Sequence, residues 1–209
     1  MEERTTAASR QLITFVMDNS ASCSKDQLKA LMAGFRALAS QTAQQETLEW
    51  ELICFDTFTP ALVKTFESNE IAPVRACRMP LLGRAAMGAA KRLVKRADYL
   101  RAKGINVYRP WMFILSDGFT FDDIEETVTY LDKQEHEGKL LYLPFKLRAK
   151  LYTERMQTLD RVKHMIEIKQ GHIESFFAFV NSMLEQRRAL PDDVGIKFRK
   201  SDFEGWAEL

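Results

Sequence analysis

The chain has 209 residues, and 30 Lys and Arg against 29 Asp and Glu leave a formal net charge of +1, which argues against a general nucleic-acid binder. Its 14 Phe, 5 Tyr and 3 Trp provide enough apolar material for a folded core and argue against intrinsic disorder. Three scattered cysteines, a start without signal-peptide features and the absence of a long apolar run predict a cytoplasmic protein without disulfides.

In chain order, short apolar runs that predict strands alternate with longer helical patterns. The predicted elements are strands at residues 11–17, 47–55, 62–66, 111–115, 139–145 and 162–168, and helices at residues 25–40, 85–103, 122–136, 153–159 and 173–188. The runs QLITFVM and WMFIL are almost continuously apolar, as expected for strands covered on both faces. The alternating run at 47–55 predicts an antiparallel pair with 62–66.

Capping and turn residues mark several of these boundaries. Ser24 with Gln27 predicts a capping box, and Gly104 predicts the end of the helix at 85–103. Pro144 predicts the end of its strand or a bulge there. Four basic residues of the helix at 85–103 predict a solvated helix face: Lys91, Arg92, Lys95 and Arg96.

Strands that alternate with crossover helices predict one α/β domain with a mostly parallel sheet and helices on both faces. We place this domain at residues 1–190. Residues 191–209 lack clear periodicity and are predicted to form a C-terminal tail. Its two aromatic residues, Phe203 and Trp206, leave two interpretations open: the tail is a docking segment for a second protein, or it folds back onto the domain.

Polar residues follow two of the apolar strands at the point where each strand ends. Asp18, Ser20 and Ser22 form a D-x-S-x-S loop after QLITFVM, and Asp117 follows WMFIL. Ligands of open α/β sheets gather at the carboxyl ends of the strands, and an extended loop can turn every second residue toward one point. Two carboxylates and two hydroxyls form an all-oxygen set, which suits Mg²⁺, Mn²⁺ or Ca²⁺ and is poor for zinc.

This arrangement resembles the metal-ion-dependent adhesion site of von Willebrand factor A (vWA) domains. In that family a D-x-S-x-S loop, a Thr from a second loop and an Asp from a third loop surround one divalent ion. The resemblance implies a Rossmann-like three-layer sandwich, with a mainly parallel sheet, one antiparallel edge strand and helices on both faces. Tyr108-Arg109-Pro110-Trp111, leading into Leu115-Ser116-Asp117-Gly118, and residues 176–180 resemble the TerY-like branch of bacterial tellurium-resistance and stress operons.

One position of the resembled site differs from the family pattern. Alignment on the helix that contains Gly88 places Ala85 where the family has its Thr, and Ala has no oxygen to donate. Water can fill the gap because Mg²⁺ commonly retains several waters, but the affinity for metal is then expected to fall. Arg84, if it points toward the site, repels a cation further. A purely structural interpretation competes with that of an adhesion site, because Ser and Asp also cap helices and form turns.

The function we favour from the sequence is protein interaction without catalysis. The resemblance implies that a partner's Asp or Glu completes the coordination of an ion held by Asp18, Ser20, Ser22 and Asp117. The residues expected to contact the partner around that ion are Asn19, Arg84 and Phe119. In the resembled operons the companions are often kinase- or phosphatase-like proteins, which suggests a complex linked to phosphorylation or stress.

Two alternatives stay open at this stage. One is a metal-dependent hydrolase or phosphatase in which Asp18 or Asp117 activates water, although no His, Lys or Glu is attached to either loop by a motif. The other is a metal-free scaffold that acts through its C-terminal tail. Neither nucleic acid nor a membrane is an expected partner.

Overall fold

The secondary structure is taken from a computed structural model that describes residues 8–20, 25–55, 61–68, 70–73, 81–147, 157–159, 163–191, 194–196 and 198–209. The strands are β1 Gln11–Asp18, β2 Leu48–Phe55, β3 Ala61–Lys64, β4 Trp111–Ser116, β5 Phe119–Thr120, β6 Leu141–Lys146, β7 Gln157–Thr158, β8 Ile166–Ile168 and β9 Ala207–Glu208. The helices are α1 Lys25–Thr42, α2 Leu82–Ala102, α3 Glu125–His136 and α4 Ile173–Ala189, with a short 3-10 helix at Lys200–Phe203.

Seven of the strands form one mixed sheet in the order β3-β2-β1-β4-β6-β8-β9. The five inner strands run parallel, whereas β3 and β9 are antiparallel to their neighbours at the two edges. This confirms the predicted α/β fold with a mainly parallel sheet. The second antiparallel edge strand, β9, was not predicted, because it comes from the C-terminal segment.

The sheet is buried on both faces by two hydrophobic clusters. One cluster lies between the sheet and helices α1 and α4, and it includes the aromatic contacts of Phe15 with Phe35, Phe113 and Phe176. The other lies between the sheet and helices α2 and α3. Every residue of β1 and β4 is buried, which explains why these two strands read as continuous apolar runs.

A layer of ion pairs lies between β2 and α2. Glu49 and Glu51 are buried on the same face of β2, so each needs a cation. Arg96 pairs with Glu49 at 2.8 Å, and Arg92 pairs with Glu51 at 2.8 Å. The predicted solvated face of this helix is therefore wrong for Arg96, whose side chain is 19% exposed and turns toward the sheet because a buried carboxylate requires a partner there. Arg92 reaches Glu51 while its side chain stays 49% exposed.

The last residues of the chain pack onto the domain. Phe203 and Trp206 are buried in the α1–α4 cluster, where the Trp206 ring stacks on Phe145 with centroids 6.1 Å apart. Strand β9 pairs with β8. Of the two interpretations of the aromatic tail residues, the structure shows the one in which they fold back, since burial of both rings leaves neither free to dock elsewhere.

Several predicted boundaries shift. Helix α2 begins at Leu82 and α3 at Glu125, and Pro144 lies inside β6, where it pairs with Ile114. The predicted helix at 153–159 is wrong at its described end, because Gln157–Thr158 pairs with β5 as a strand. Ser24 of the predicted capping box lies outside the described residues. None of the helices described is both long and apolar enough to cross a membrane.

Candidate metal and partner site

The two predicted site loops meet at one edge of the sheet. Strands β1 and β4 are parallel neighbours, and their register pairs Met17 with Leu115. Asp18, the last residue of β1, therefore lies beside Ser116, and Asp117 follows directly. From β1 the chain continues through α1 to β2, which lies on one side of β1, whereas β4 lies on the other side. The ends of β1 and β4 therefore meet at a topological switch point of the sheet.

The carboxylate of Asp18 is held by donors from both loops. Its Oδ1 accepts the Ser20 backbone N–H at 2.7 Å, and its Oδ2 accepts the Ser116 hydroxyl at 3.0 Å. Asp18 and Ser116 are 0% exposed, and Ser20 is 2% exposed. These contacts fix the orientation of a buried carboxylate at the end of β1.

The second loop is a tight Asp-Gly turn. Asp117 Oδ1 accepts the Phe119 backbone N–H at 2.9 Å, and the Ser116 hydroxyl oxygen accepts the Gly118 N–H at 3.0 Å. Gly118 has φ +89°, and a Cβ there would lie 3.1 Å from the sulfur of Met165. Glycine is favoured at this position because the turn uses the left-handed region, and a Cβ would also crowd the Met165 side chain.

The electrostatics of the site favour a cation. Burial, together with the negative charge of Asp117, raises the pKa of Asp18 to about 7, although hydrogen bonds from Ser20 and Ser116 oppose the rise. Two buried carboxylates and the Ser20 hydroxyl are hard oxygen donors, so the residues present fit a divalent ion such as Mg²⁺. The described residues contain no cluster of three or more His, Cys, Asp or Glu side chains, so hydroxyls or water must complete such a shell.

The raised pKa predicts how the metal-free protein responds to pH. In the unfolded chain Asp18 ionises near pH 4, whereas in the folded protein it keeps its proton to about pH 7. Stability therefore falls as the pH rises from 4 to 7, by on the order of 3 kcal/mol from this group. In EDTA, Asp18→Asn should lack that decrease, which urea unfolding at both pH values measures. An identical pH dependence in variant and wild type would count against the raised pKa.

The other predicted site residues differ in their exposure to solvent. Ser22 lies outside the described residues, and Arg84 is exposed at the start of α2. Asn19 and Phe119 are each only 3% exposed, which corrects their predicted role at the surface, because buried side chains do not contact a partner directly. Ala85 is 0% exposed and packs in the α2–α3 cluster under its helix.

The first turn of α2 is capped from the other loop, a contact that the sequence did not predict. Both oxygens of Asp122 accept backbone N–H groups, from Gly83 at 3.0 Å and from Arg84 at 2.6 Å. The Thr120 hydroxyl accepts the Leu82 N–H at 3.0 Å. Asp122 was predicted inside a helix, and only the Thr-x-Asp spacing before α3 hints at a cap. This cap joins the start of α2 to the segment that follows Asp117.

The comparisons with known proteins concern the fold. No protein-family model matches the sequence, and no curated protein does. The solved structure of the SpRpn10 VWA domain is similar with a TM-score of 0.54 and 10% identity, over 91% of this chain and 100% of that domain. Proximal thread matrix protein 1 from the mussel byssus gives a TM-score of 0.50 and 11% identity, over 66% of this chain and 38% of that one.

Manganese-loaded TRAP from Plasmodium vivax gives a TM-score of 0.48 and 9% identity, over 66% of this chain and 57% of that one. The chain thus spans 57% of TRAP and 38% of the byssus protein, but the whole of the SpRpn10 domain. At these identities the likeness establishes the architecture alone. The mainly parallel sheet, its helices on both faces and the full overlap with the SpRpn10 domain give this chain the fold of a vWA domain.

Proposed function

We propose that this vWA-like domain binds a partner protein at the edge formed by the ends of β1 and β4, without catalysis. The observation that supports this most is the meeting of two buried carboxylates, Asp18 and Asp117, with the Ser20 and Ser116 hydroxyls at the switch point of the sheet. Burial of two like charges is costly unless a cation or a partner group offsets it. Such a cost at a ligand-binding edge favours a functional role over simple capping.

A divalent ion is the group that this set fits. Ser20 and Ser22 would contact the ion through their hydroxyls, and Asp18 and Asp117 would orient its ligands, in part through water. The ion, when bound, supplies positive charge and an open position for a carboxylate oxygen of the partner. Mg²⁺ is the first choice, with Mn²⁺ and Ca²⁺ as substitutes. Without a metal, Arg84 is the exposed cation that would receive the partner's carboxylate.

Two exposed side chains replace the buried pair at the expected rim, one at the α2 start that Asp122 caps and one in the segment after Asp117. Arg84 is exposed at the start of α2, and Phe121 is 52% exposed just after β5. A cation and an aromatic ring are the side-chain types that dominate protein interfaces. We therefore expect a partner segment that carries an acidic residue with an apolar neighbour.

The TerY-like motif at residues 108–118 suggests a stress-response setting and a kinase- or phosphatase-like partner. Fold-level likeness alone does not identify a partner. A metal-dependent hydrolase is the competing function, and turnover of phosphate esters with Mg²⁺ that is lost in Asp18→Ala would favour it.

A capture experiment tests the proposal. The immobilised protein is loaded with Mg²⁺, exposed to candidate kinase- and phosphatase-like proteins, and then washed with EDTA. We expect one candidate to be retained with Mg²⁺, released by EDTA, and bound at least about tenfold more weakly by Phe121→Ala, since an interface aromatic contributes about 1–2 kcal/mol or more. Leu209→Ala, at the equally exposed C-terminus (50%), is the matched control and should bind normally. Retention that is reduced neither by EDTA nor by Phe121→Ala would contradict the proposed surface.

A further inference from the structure

A cleft at the opposite end of the sheet, where β1 begins, has the features of a second binding site. It has a volume of about 530 Å³ and adjoins a cavity of about 410 Å³. Both are lined by Ser9, Gln11, Asn106, Tyr108 and Arg187. Gln11 begins β1 and Asp18 ends it, so at about 3.3 Å per residue the cleft lies roughly 23 Å from the candidate metal site.

Arg187 places a buried positive charge in this cleft. Its side chain is 5% exposed, and its terminal nitrogens donate to the backbone carbonyls of Leu190 at 3.0 Å, Pro191 and Val194. Its guanidinium lies 4.2 Å from the centroid of the Tyr108 ring. Within the part of the chain that the structure describes, no carboxylate pairs with Arg187 and no Asp or Glu lines either cavity. The charged side chains among the described lining residues are all arginines, so this part of the cleft favours an anion.

Two buried polar atoms of opposite type lack a hydrogen bond in the described structure: the donor Arg187 Nε and the acceptor Gln11 Oε1. Gln11 is 3% exposed, and its amide nitrogen donates to the carbonyls of Leu12 at 2.9 Å and Arg109 at 3.3 Å, which fixes the oxygen on the other side. An unsatisfied buried polar group costs roughly 1–3 kcal/mol. A ligand with one acceptor and one donor would remove both costs.

One part of the lining is apolar and aromatic. It includes Trp111, Leu141, Ile196 and Phe198. A volume of about 530 Å³ is within the range of small-ligand sites. A ligand that matches this cleft combines a carboxylate, an N–H group and a hydrophobic side chain.

We propose that the cleft binds the carboxylate end of an N-acylated hydrophobic residue, with the carboxylate on Arg187, the N–H on Gln11 Oε1 and the side chain against the aromatic wall. This group occurs in small N-acyl amino acids and at the C-terminus of a peptide. Arg187 Nε and Gln11 Oε1 are covered in the present conformation, so the ligand must displace a neighbouring contact to reach them, and the Val194–Ile196 segment provides one. That segment is attached to Arg187 through the Val194 carbonyl, which the carboxylate can replace.

Titration with N-acetylphenylalanine tests the proposed chemistry on the full chain. Calorimetry should show saturable binding. Because Trp111 lines the cleft, its fluorescence should change in a parallel titration. Binding should weaken by about tenfold or more for N-acetylphenylalaninamide, which lacks the charge, and for 3-phenylpropanoate, which lacks the N–H. A pentapeptide that ends in Phe should bind more tightly than N-acetylphenylalanine if the natural ligand is a peptide end, and no more tightly if it is a small molecule.

A pair of glycine variants tests the location. Gly195 lines the cleft, and a Cβ there meets nothing within 4 Å, so Gly195→Phe should fill the cavity and abolish binding without lowering the thermal stability. Gly88 on α2 also has open space and provides the control, Gly88→Phe, which should bind normally. No saturable binding of N-acetylphenylalanine, equal binding of the amide, or unchanged binding by Gly195→Phe would each overturn the proposal.

Discussion

Asp18→Asn is expected to abolish the stabilisation of this protein by divalent metal. At a free concentration about a hundred times the dissociation constant, an ion that binds only the folded state adds about 2.7 kcal/mol of stability. For a chain of this length that corresponds to a rise in Tm of roughly 5–10 °C. The variant loses the effect because Asp18 is the buried carboxylate on which the donors of both loops converge.

Thermal unfolding with and without Mn²⁺ at pH 8 measures this difference. Asp98→Asn is the matched control, because Asp98 lies on the surface of α2 in an ion pair with Arg101 and far in sequence from either loop. The control should keep the full rise in Tm. If the metal stabilised Asp18→Asn as much as wild type, Asp18 would have no part in holding it.

Gly34→Ala is expected to destabilise the fold by about 1–2 kcal/mol. A Cβ at this position of α1 would lie 2.0 Å from Cε2 of Phe177 on α4. That ring cannot move aside easily, since it packs at 5.0 Å from Phe35 and 5.2 Å from Phe176, measured between centroids. Overpacking of this kind costs about 1–3 kcal/mol or more, which exceeds the gain of about 0.5–1 kcal/mol from replacing a helical glycine.

Denaturant unfolding of Gly34→Ala and Gly88→Ala measures the effect against a matched control. Gly88 is also helical, but a Cβ there meets nothing within 4 Å, so Gly88→Ala should gain about 0.5–1 kcal/mol. Phe177→Ala should cost less in the Gly34→Ala background than in wild type, because it removes the clashing ring. A Gly34→Ala protein as stable as wild type would mean that α1 and α4 separate without penalty.

The sequence predicts strands best where both faces of the strand are buried. Strands β1 and β4 are covered on both faces and so appear as continuous apolar runs. Strands β5 and β7 have two residues each, too few for any period to show. The tail was assigned no structure because Phe203 and Trp206 are held by tertiary packing against Phe145, which leaves no local pattern.

The candidate site was predictable only in part. Asp18 and Asp117 were expected together because each ends an apolar strand, and the structure makes those strands neighbours. Ser116 was missed because it is the last residue of its strand, where an inward hydroxyl looks like any other buried residue. The burial of Phe119 and the exposure of Phe121 depend on the two-residue strand β5, which begins at Phe119, ends before Phe121 and gives no sequence signal.

Paramagnetic broadening by Mn²⁺ in amide NMR spectra tests the central claim most directly, because it locates the ion without any substitution. At substoichiometric Mn²⁺ we expect the amide signals of Ser20, Gly118 and Phe119 to broaden first and those of Gln11 and Arg187 to stay sharp, and excess Mg²⁺ to reverse the effect. Broadening confined to exposed acidic residues elsewhere, or none at all, would contradict a metal-dependent binding site at the ends of β1 and β4.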